Sequence, residues 1–210
     1  MASLYLVGAG TVACEILEFA CQISHVAPWD IKGLLDDDED KVGTSLAGFP
    51  VVSTLEKWAP KSDDVAICTI GDPLIRDEIK SRLNSLRVHL ATLIHPLSYV
   101  APSATIGAGS IVYPFAQISS SAVVGSNVMI NYSASVGHHA SVGDSTVISA
   151  HVDITGSVTV GTRAFLGSHA TVAPSLSIGD DARVAMGSAV LASVAPQKRV
   201  LGVPARSYDL

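Results

Sequence analysis

VGSNVMINYSASVGHHASVGDSTVI, residues 124–148, returns an aliphatic residue at every sixth position: Val124, Ile130, Val136, Val142 and Ile148. Extended outward, the same step meets Val100, Ile106, Val112 and Ile118 on one side. On the other it meets Ile154, Val160, Leu166, Val172, Ile178, Val184 and Val190, making sixteen positions without an interruption. Four residues after each lies a mostly small residue, as at Ala116, Ala122, Ala134, Ala140, Ala164, Ala170 and Ala182. Glycine follows the aliphatic residue at 107, 125, 137, 143, 161, 167 and 179. A fixed short period is the mark of a solenoid. The physical reading is a coil that turns every six residues. One aliphatic side chain points inward per turn, a small residue supports the adjoining corner, and Gly or Asn relieves strain in the backbone. Coils then stack at the ~4.8 Å spacing of hydrogen-bonded strands, and the inward layers form a continuous core.

Between Leu97 and Ala195 only Asp144, Asp153, Arg163, Asp180, Asp181 and Arg183 carry charge. So sparse a surface predicts outer faces partly covered by identical subunits. The whole chain of 210 residues is 48% hydrophobic and 15% charged, which excludes disorder, and only 5% aromatic, so its cores are built from Val, Ile, Leu and Ala. Mean hydropathy is +0.42, yet no run of eighteen apolar residues occurs, which argues against a membrane span. A net charge of −6 without any Lys/Arg run argues against a nucleic-acid partner. Cys14, Cys21 and Cys68 lack C-x-x-C spacing and read as reduced thiols. With no basic segment ahead of the first apolar run, the expected compartment is the cytoplasm.

Residues 1–96 follow a different pattern. The apolar run 4–7 leads into Gly8-Ala9-Gly10-Thr11-Val12-Ala13 and a helix to about Ser24. Strands are predicted at 31–35, 64–70 and 88–94, and a helix at 73–86 with Asp72 as its N-cap. Alternating strands and helices predict a small parallel α/β domain over 1–96, joined at His95-Pro96 to a repeat domain over 97–210. Gly8-x-Gly10-x-x-Ala13 stands between strand and helix, as a dinucleotide fingerprint does, and acidic residues Asp36 to Asp40 end the next strand. The domain is too short for a full dinucleotide site. Gly8, Gly10, Thr11, Asp36 and Asp37 are therefore candidates for a nucleotide-linked substrate, against the alternatives of a bare tight turn and a solvated acidic loop.

His138, His139, His151 and His169 lie within the repeat. His138-His139 occupies a corner from which side chains point outward, and imidazole is the side chain best suited to act as a general base near neutral pH. His151 and His169 are eighteen residues apart, one full coil, and are expected to stack. No H-x-x-H or H-E-x-x-H pair occurs, so no metal is expected. A zinc-dependent hydratase-like helix and a non-catalytic trimer stand as alternatives.

The sequence resembles the bacterial NeuD/PglD-like acyltransferases along nearly its whole length. The resemblance rests on Gly8-Ala9-Gly10, Gly33-Leu34-Leu35-Asp36-Asp37-Asp38, Ile94-His95-Pro96, the hexapeptide repeat and the closing Gly202-Val203-Pro204-Ala205-Arg206. It implies a left-handed β-helix, a homotrimer, and acetyl-CoA in the groove between neighbouring prisms. The acetyl group would pass to the amine of a nucleotide-linked amino sugar in surface-glycan synthesis, or alternatively to a hydroxyl of sialic acid or another sugar. It further implies His138 as the general base and Asn131 as a ligand contact. Gly156, Gly167, Lys198, Arg199 and Arg206 would contact coenzyme A. Relatives usually follow the base with Glu or Asp; here His139 stands there, and Asp144 and Asp153 are the candidates to supply the missing charge.

Overall fold

The computed structural model describes residues 1–23 and 27–208. Strand β1 (Ala2–Val7) lies in parallel between β2 (Trp29–Leu35) and β5 (Asp64–Cys68). With β3 (Ser45–Leu46), β4 (Phe49–Ser53) and β6 (His89–Leu90) the sheet order is β3-β4-β2-β1-β5-β6, parallel except where β3 meets β4. Helix α1 (Thr11–Ile23) buries Ala13, Ile16, Leu17, Phe19, Ala20 and Ile23. Helix α2 (Pro73–Ser85) starts as predicted: Asp72 caps it, its carboxylate accepting from the N–H of Leu74 at 2.9 Å and of Ile75 at 3.3 Å, with Pro73 at the first position.

The repeat builds a three-sided prism of two-residue rungs. The first face stacks rungs from Leu93–Ile94 to Arg199–Leu201, the second from Tyr99–Val100 to Ala189–Val190, and the third from Thr105–Ile106 to Ser177–Ile178. Rungs pair in parallel with the rung eighteen residues later, for example Val136 with Ile154 and Val142 with Val160, except at the end of the first face, where Val184 pairs with Val200. The second rung residue faces inward, and Ile118, Val136, Ile148, Ile154, Leu166, Val172 and Val184 are wholly buried.

The two domains share one core. The apolar stripe of α1 packs in a single cluster with Leu4 and Leu6 of the sheet and with Ile111, Tyr113, Met129 and Val147 on the outer side of the first prism face. Helix α2 lies along the corner between the third and first faces, where Arg76 is completely buried. Its Nε and Nη2 donate to the Asn127 carbonyl at 3.0 and 2.8 Å, and Nη2 also donates to Asn127 Oδ1 at 3.0 Å. Nη1 donates to the carbonyls of Cys68 and Ile70 at 3.0 and 2.9 Å, and Asn127 Nδ2 returns a bond to the Arg76 carbonyl at 2.7 Å. Around this centre lie the ion pairs Lys80–Asp144 at 2.8 Å, Arg183–Asp72 at 3.2 Å and Arg163–Asp77 at 3.7 Å. Partly exposed pairs of this kind contribute little each; the buried guanidinium, with five donated bonds, is the larger element.

Three sets of expectations are corrected. The predicted strand 88–94 is two: His89–Leu90 closes the α/β sheet, whereas Leu93–Ile94 is the first rung of the prism, because the Leu93 N–H donates to Ser110 O on the coil above it. The strand predicted at 31–35 begins at Trp29, that predicted at 64–70 ends at Cys68, and β3 and β4 were not foreseen. The predicted helix end at Ser24 lies outside the described residues. Finally, the glycines after the aliphatic residues do not relieve strain. Positive φ falls two residues later, at Ser121, Asn127, Ser133, His139, Ser145, Ser157 and Arg163 among others. The glycines instead permit close stacking: a Cβ on Gly137 would sit 2.5 Å from the Thr155 carbonyl carbon, and one on Gly143 2.6 Å from that of Gly161. Among the described residues no helix is long and apolar enough to cross a membrane.

Candidate active site

Residues 137–140 form one corner between the second and third faces. Gly137 N–H donates to Ile154 O at 2.7 Å and Ala140 N–H closes the turn onto Gly137 O at 3.2 Å, while His139, at φ +58°, donates its N–H to Ser120 O at 3.0 Å. Both imidazoles are solvent-exposed. Their rings meet edge to face at 5.4 Å and 82°, with Nδ1 of His138 3.2 Å from Nδ1 of His139. Directly beneath, Gly156 is the floor of the His138 ring: a Cβ there would lie 2.5 Å from both Cε1 and Nε2. Gly156 needs no positive φ, so Gly156→Ala is expected to leave thermal stability nearly unchanged while displacing the imidazole and lowering kcat about tenfold or more, since sub-ångström positioning governs such steps. Steady-state kinetics beside a melting curve checks this.

The turn that follows β1 is held by Asp36. Its Oδ2 accepts from the Ala9 N–H at 2.7 Å and from Lys41 Nζ at 3.0 Å, and its Oδ1 accepts from the Asp38 N–H at 3.0 Å. Burial pushes this carboxyl upward, but those bonds outweigh it and hold it below the usual carboxylate range. Asp37 turns the other way, onto Arg82 through both oxygens and onto the Leu55 N–H at 3.1 Å. The Arg82 bond, against some desolvation, lowers its proton affinity too. Because both folded-state values are depressed, their stabilisation is complete above the ordinary carboxylate range and is lost as the pH falls through the lowered values. The Asp36–Asp40 run is therefore a braced structure, with Glu39–Lys41 in a short 3-10 turn.

Two clefts open on either side of Gly8 and Asp36. One, of about 280 Å³, is lined by Gly8, Ala9, Gly10, Thr11, Lys41, Thr69 and Gly71 among others. The second, of about 270 Å³, is lined by Gly8, Asp36, Asp37, Ile75, Glu78 and Arg82 among others. Gly8, Gly10, Thr11 and Asp36 thus share a cradle at the N-terminus of α1, where backbone N–H groups and the helix dipole favour an anion; Asp37 belongs to the second cleft. Lys41, which the sequence reading passed over, brings the cradle its cation.

Asn131 lies one corner earlier, between the first and second faces, and its Oδ1 accepts from the Tyr132 N–H at 2.6 Å. Lys198 and Arg206 line a cleft of about 330 Å³ near the C-terminal end of the prism, while Arg199 lines a different one with Phe165, Arg183 and Tyr208. A Cβ on Gly167 would be 2.6 Å from Met186 N, so this glycine serves coil stacking. His138 is a wall of none of these clefts. Neither Asp144 nor Asp153 turns to His138: Asp144 is taken by Lys80 and the Ser126 N–H, and Asp153 by Ser135 Oγ. His151 and His169 stack as expected, 4.7 Å apart and 8° from parallel. Among the described residues no three potential metal ligands come together.

Residues 3–83 match the PglD N-terminal domain family, and residues 157–192 match the hexapeptide repeat of succinyl-transferase. The whole chain superimposes on the acetyltransferase domain of PglB from Neisseria gonorrhoeae with a TM-score of 0.90 at 26% identity, covering 99% of this chain and 100% of that one. The chain belongs to the hexapeptide-repeat, left-handed β-helix sugar acyltransferases. PerB from Caulobacter crescentus, whose structure holds CoA and GDP-perosamine, is similar to this acyltransferase at a TM-score of 0.88 and 25% identity, covering 100% of this chain and 98% of that one. WeeI from Acinetobacter baumannii shares its fold, with a TM-score of 0.89 at 24% identity, covering 99% of this chain and 100% of that one. Among curated protein sequences none matches the chain.

Proposed function

We propose that this acyltransferase moves an acetyl group from acetyl-CoA to the amine of a nucleotide-linked amino sugar. The observation that carries the reading is the exposed His138 imidazole on its Gly156 floor, in a chain whose full length matches PerB, a protein seen with CoA and GDP-perosamine. The cradle of Gly8, Gly10, Thr11 and Lys41 receives the diphosphate, with Asp36 bracing the turn. Asn131 orients the sugar, and Lys198, Arg199 and Arg206 receive coenzyme A phosphates. His138 Nε2 takes a proton from the amine as nitrogen attacks the thioester carbonyl; the C–S bond then breaks, and the coenzyme A thiolate recovers that proton from His138. A free amine is already nucleophilic, so positioning supplies much of the acceleration. That is why a base without a carboxylate behind it favours N- over O-acetylation.

The cradle and His138 share no cleft within one protomer, which supports an assembly in which the prism of a neighbouring copy completes the site, with a homotrimer as its closed form. The test is release of coenzyme A thiol from acetyl-CoA with a UDP-linked amino sugar, a GDP-linked amino sugar and sialic acid in separate reactions, beside a thermal-shift series of UDP, GDP and CMP. One nucleotide is expected to stabilise the fold, by about 2.7 kcal/mol at a hundredfold excess over Kd, and its amino sugar to be acetylated. Turnover of sialic acid alone would convert the reading to O-acetylation, and thiol release with none of the three would end it.

A further inference from the structure

We propose that His139 is the positioning residue for His138 and that the two rings form a proton-ordered pair. The inference rests on the reading of His138 as general base.

The third position of this corner column holds serine in the neighbouring coils, at Ser121, Ser157 and Ser175, all with positive φ. An imidazole at φ +58° is therefore the exception in its column, and it is the exception that reaches back to His138 Nδ1 at 3.2 Å. No other side chain bonds the His138 ring among the described residues. Asp153 is the one charged side chain among the packed surroundings. The coil before contributes Ser119, Ser120, Ser121 and Ala122, and the coil after contributes Thr155, Gly156, Ser157 and Val158. Of the outward rung residues flanking the corner, Gln117, Ser135, Ser141 and Thr159 are neutral, and Asp153 is engaged by Ser135 Oγ.

Two Nδ1 atoms at hydrogen-bond distance can share only one proton. If His138 carries it, the proton points from His138 Nδ1 to the lone pair of His139 Nδ1. His139 then has its own hydrogen on Nε2, and His138 Nε2 keeps the lone pair that catalysis needs. When His138 takes the amine proton, its Nδ1–H stays bonded to His139, which remains neutral. A proton on His139 reverses the order: its Nδ1–H donates to His138, whose hydrogen moves to Nε2, and the base is lost.

The variants His139→Ser, His139→Glu and His138→Gln test this. Serine is what the column carries elsewhere, so the fold is kept. His139→Ser is expected to lower kcat roughly ten- to hundredfold, a fraction of the roughly 10²–10⁴ that a positioned base supplies, with both KM values little changed. His139→Glu is expected to restore kcat at high pH and to move the acid limb of its pH profile upward by roughly one unit, because an adjacent carboxylate favours the imidazolium. Long-range ¹H–¹⁵N NMR of the wild-type protein, which needs no substrate, is expected to show His138 protonated on Nδ1 and His139 on Nε2. Wild-type kcat and pH profile in His139→Ser, or the opposite tautomers, would overturn the role of His139 while leaving His138 as base. A fully active His138→Gln variant would overturn both.

Discussion

His138→Gln is expected to reduce kcat by roughly 10²–10⁴, the range over which a positioned general base acts, with the KM for acetyl-CoA and for the nucleotide sugar within about threefold of wild type. Glutamine keeps a polar side chain of similar reach but offers no lone pair basic enough to take the proton. The site tolerates it physically: the imidazole is exposed, its floor is the bare backbone of Gly156, and its side-chain bond is to His139. No buried group loses a partner, so the melting temperature should stay within a degree or two. The residual rate reports the part owed to proximity, which is large for an amine nucleophile, and it should rise with pH as more of the substrate amine becomes unprotonated. Steady-state kinetics from pH 6 to 9 measures both. An unchanged kcat would remove His138 from the proton transfer.

Arg76→Met carries the largest expected effect on stability. The guanidinium is wholly buried and donates to the carbonyls of Cys68, Ile70 and Asn127 and to Asn127 Oδ1. Methionine fills much of the volume but leaves those acceptors buried and unsatisfied, each at a cost of about 1–3 kcal/mol. Breaking such a buried arrangement from one side typically costs about 3–5 kcal/mol, or roughly 6–20 °C in melting temperature for a chain of this size. The loss should appear first as undocking of α2 from the prism corner, read by proteolysis within residues 61–92 before the prism itself is cut. Replacing Asn127 by Ala should reproduce much of the effect, because it removes the side chain that bonds both Arg76 Nη2 and the Arg76 carbonyl. A melting temperature within about two degrees of wild type would show that the guanidinium is not what joins the domains.

The prism was legible because every sixth residue carries its inward side chain, and sixteen such steps leave no competing pattern. The cap at Asp72-Pro73 was legible because capping chemistry is local. By contrast, the junction near residue 92 was hidden: an apolar run does not reveal which of two sheets each half joins. Arg76 was hidden for the opposite reason, since nothing near it in sequence marks it for burial and its partner Asn127 lies fifty-one residues away. Lys41 was masked by the acidic run it follows. One relation was available and unused: 138 plus one coil of eighteen is 156, so the repeat itself places a glycine under His138. The glycine-after-aliphatic rule was read correctly as pattern and wrongly as cause, because the positive φ falls two residues after the glycine position while the glycine is required by the close stacking of coils.

The anchoring of α2 at Asn127 makes the chain a measuring device. The cradle around Gly8 and Gly10, proposed above to receive the nucleotide, belongs to the α/β domain, and that domain is bolted to the end of the second coil of the prism, while His138 stands on the third. Inserting one complete eighteen-residue coil between them would keep every corner in phase and every inward residue inward, yet would carry the imidazole along the axis by a whole strand spacing of about 4.8 Å. Such a protein would fold around the same core with His138 one spacing farther from the anchor of α2. The count of turns, as much as the identity of any side chain, therefore fixes how far His138 stands from the α/β domain.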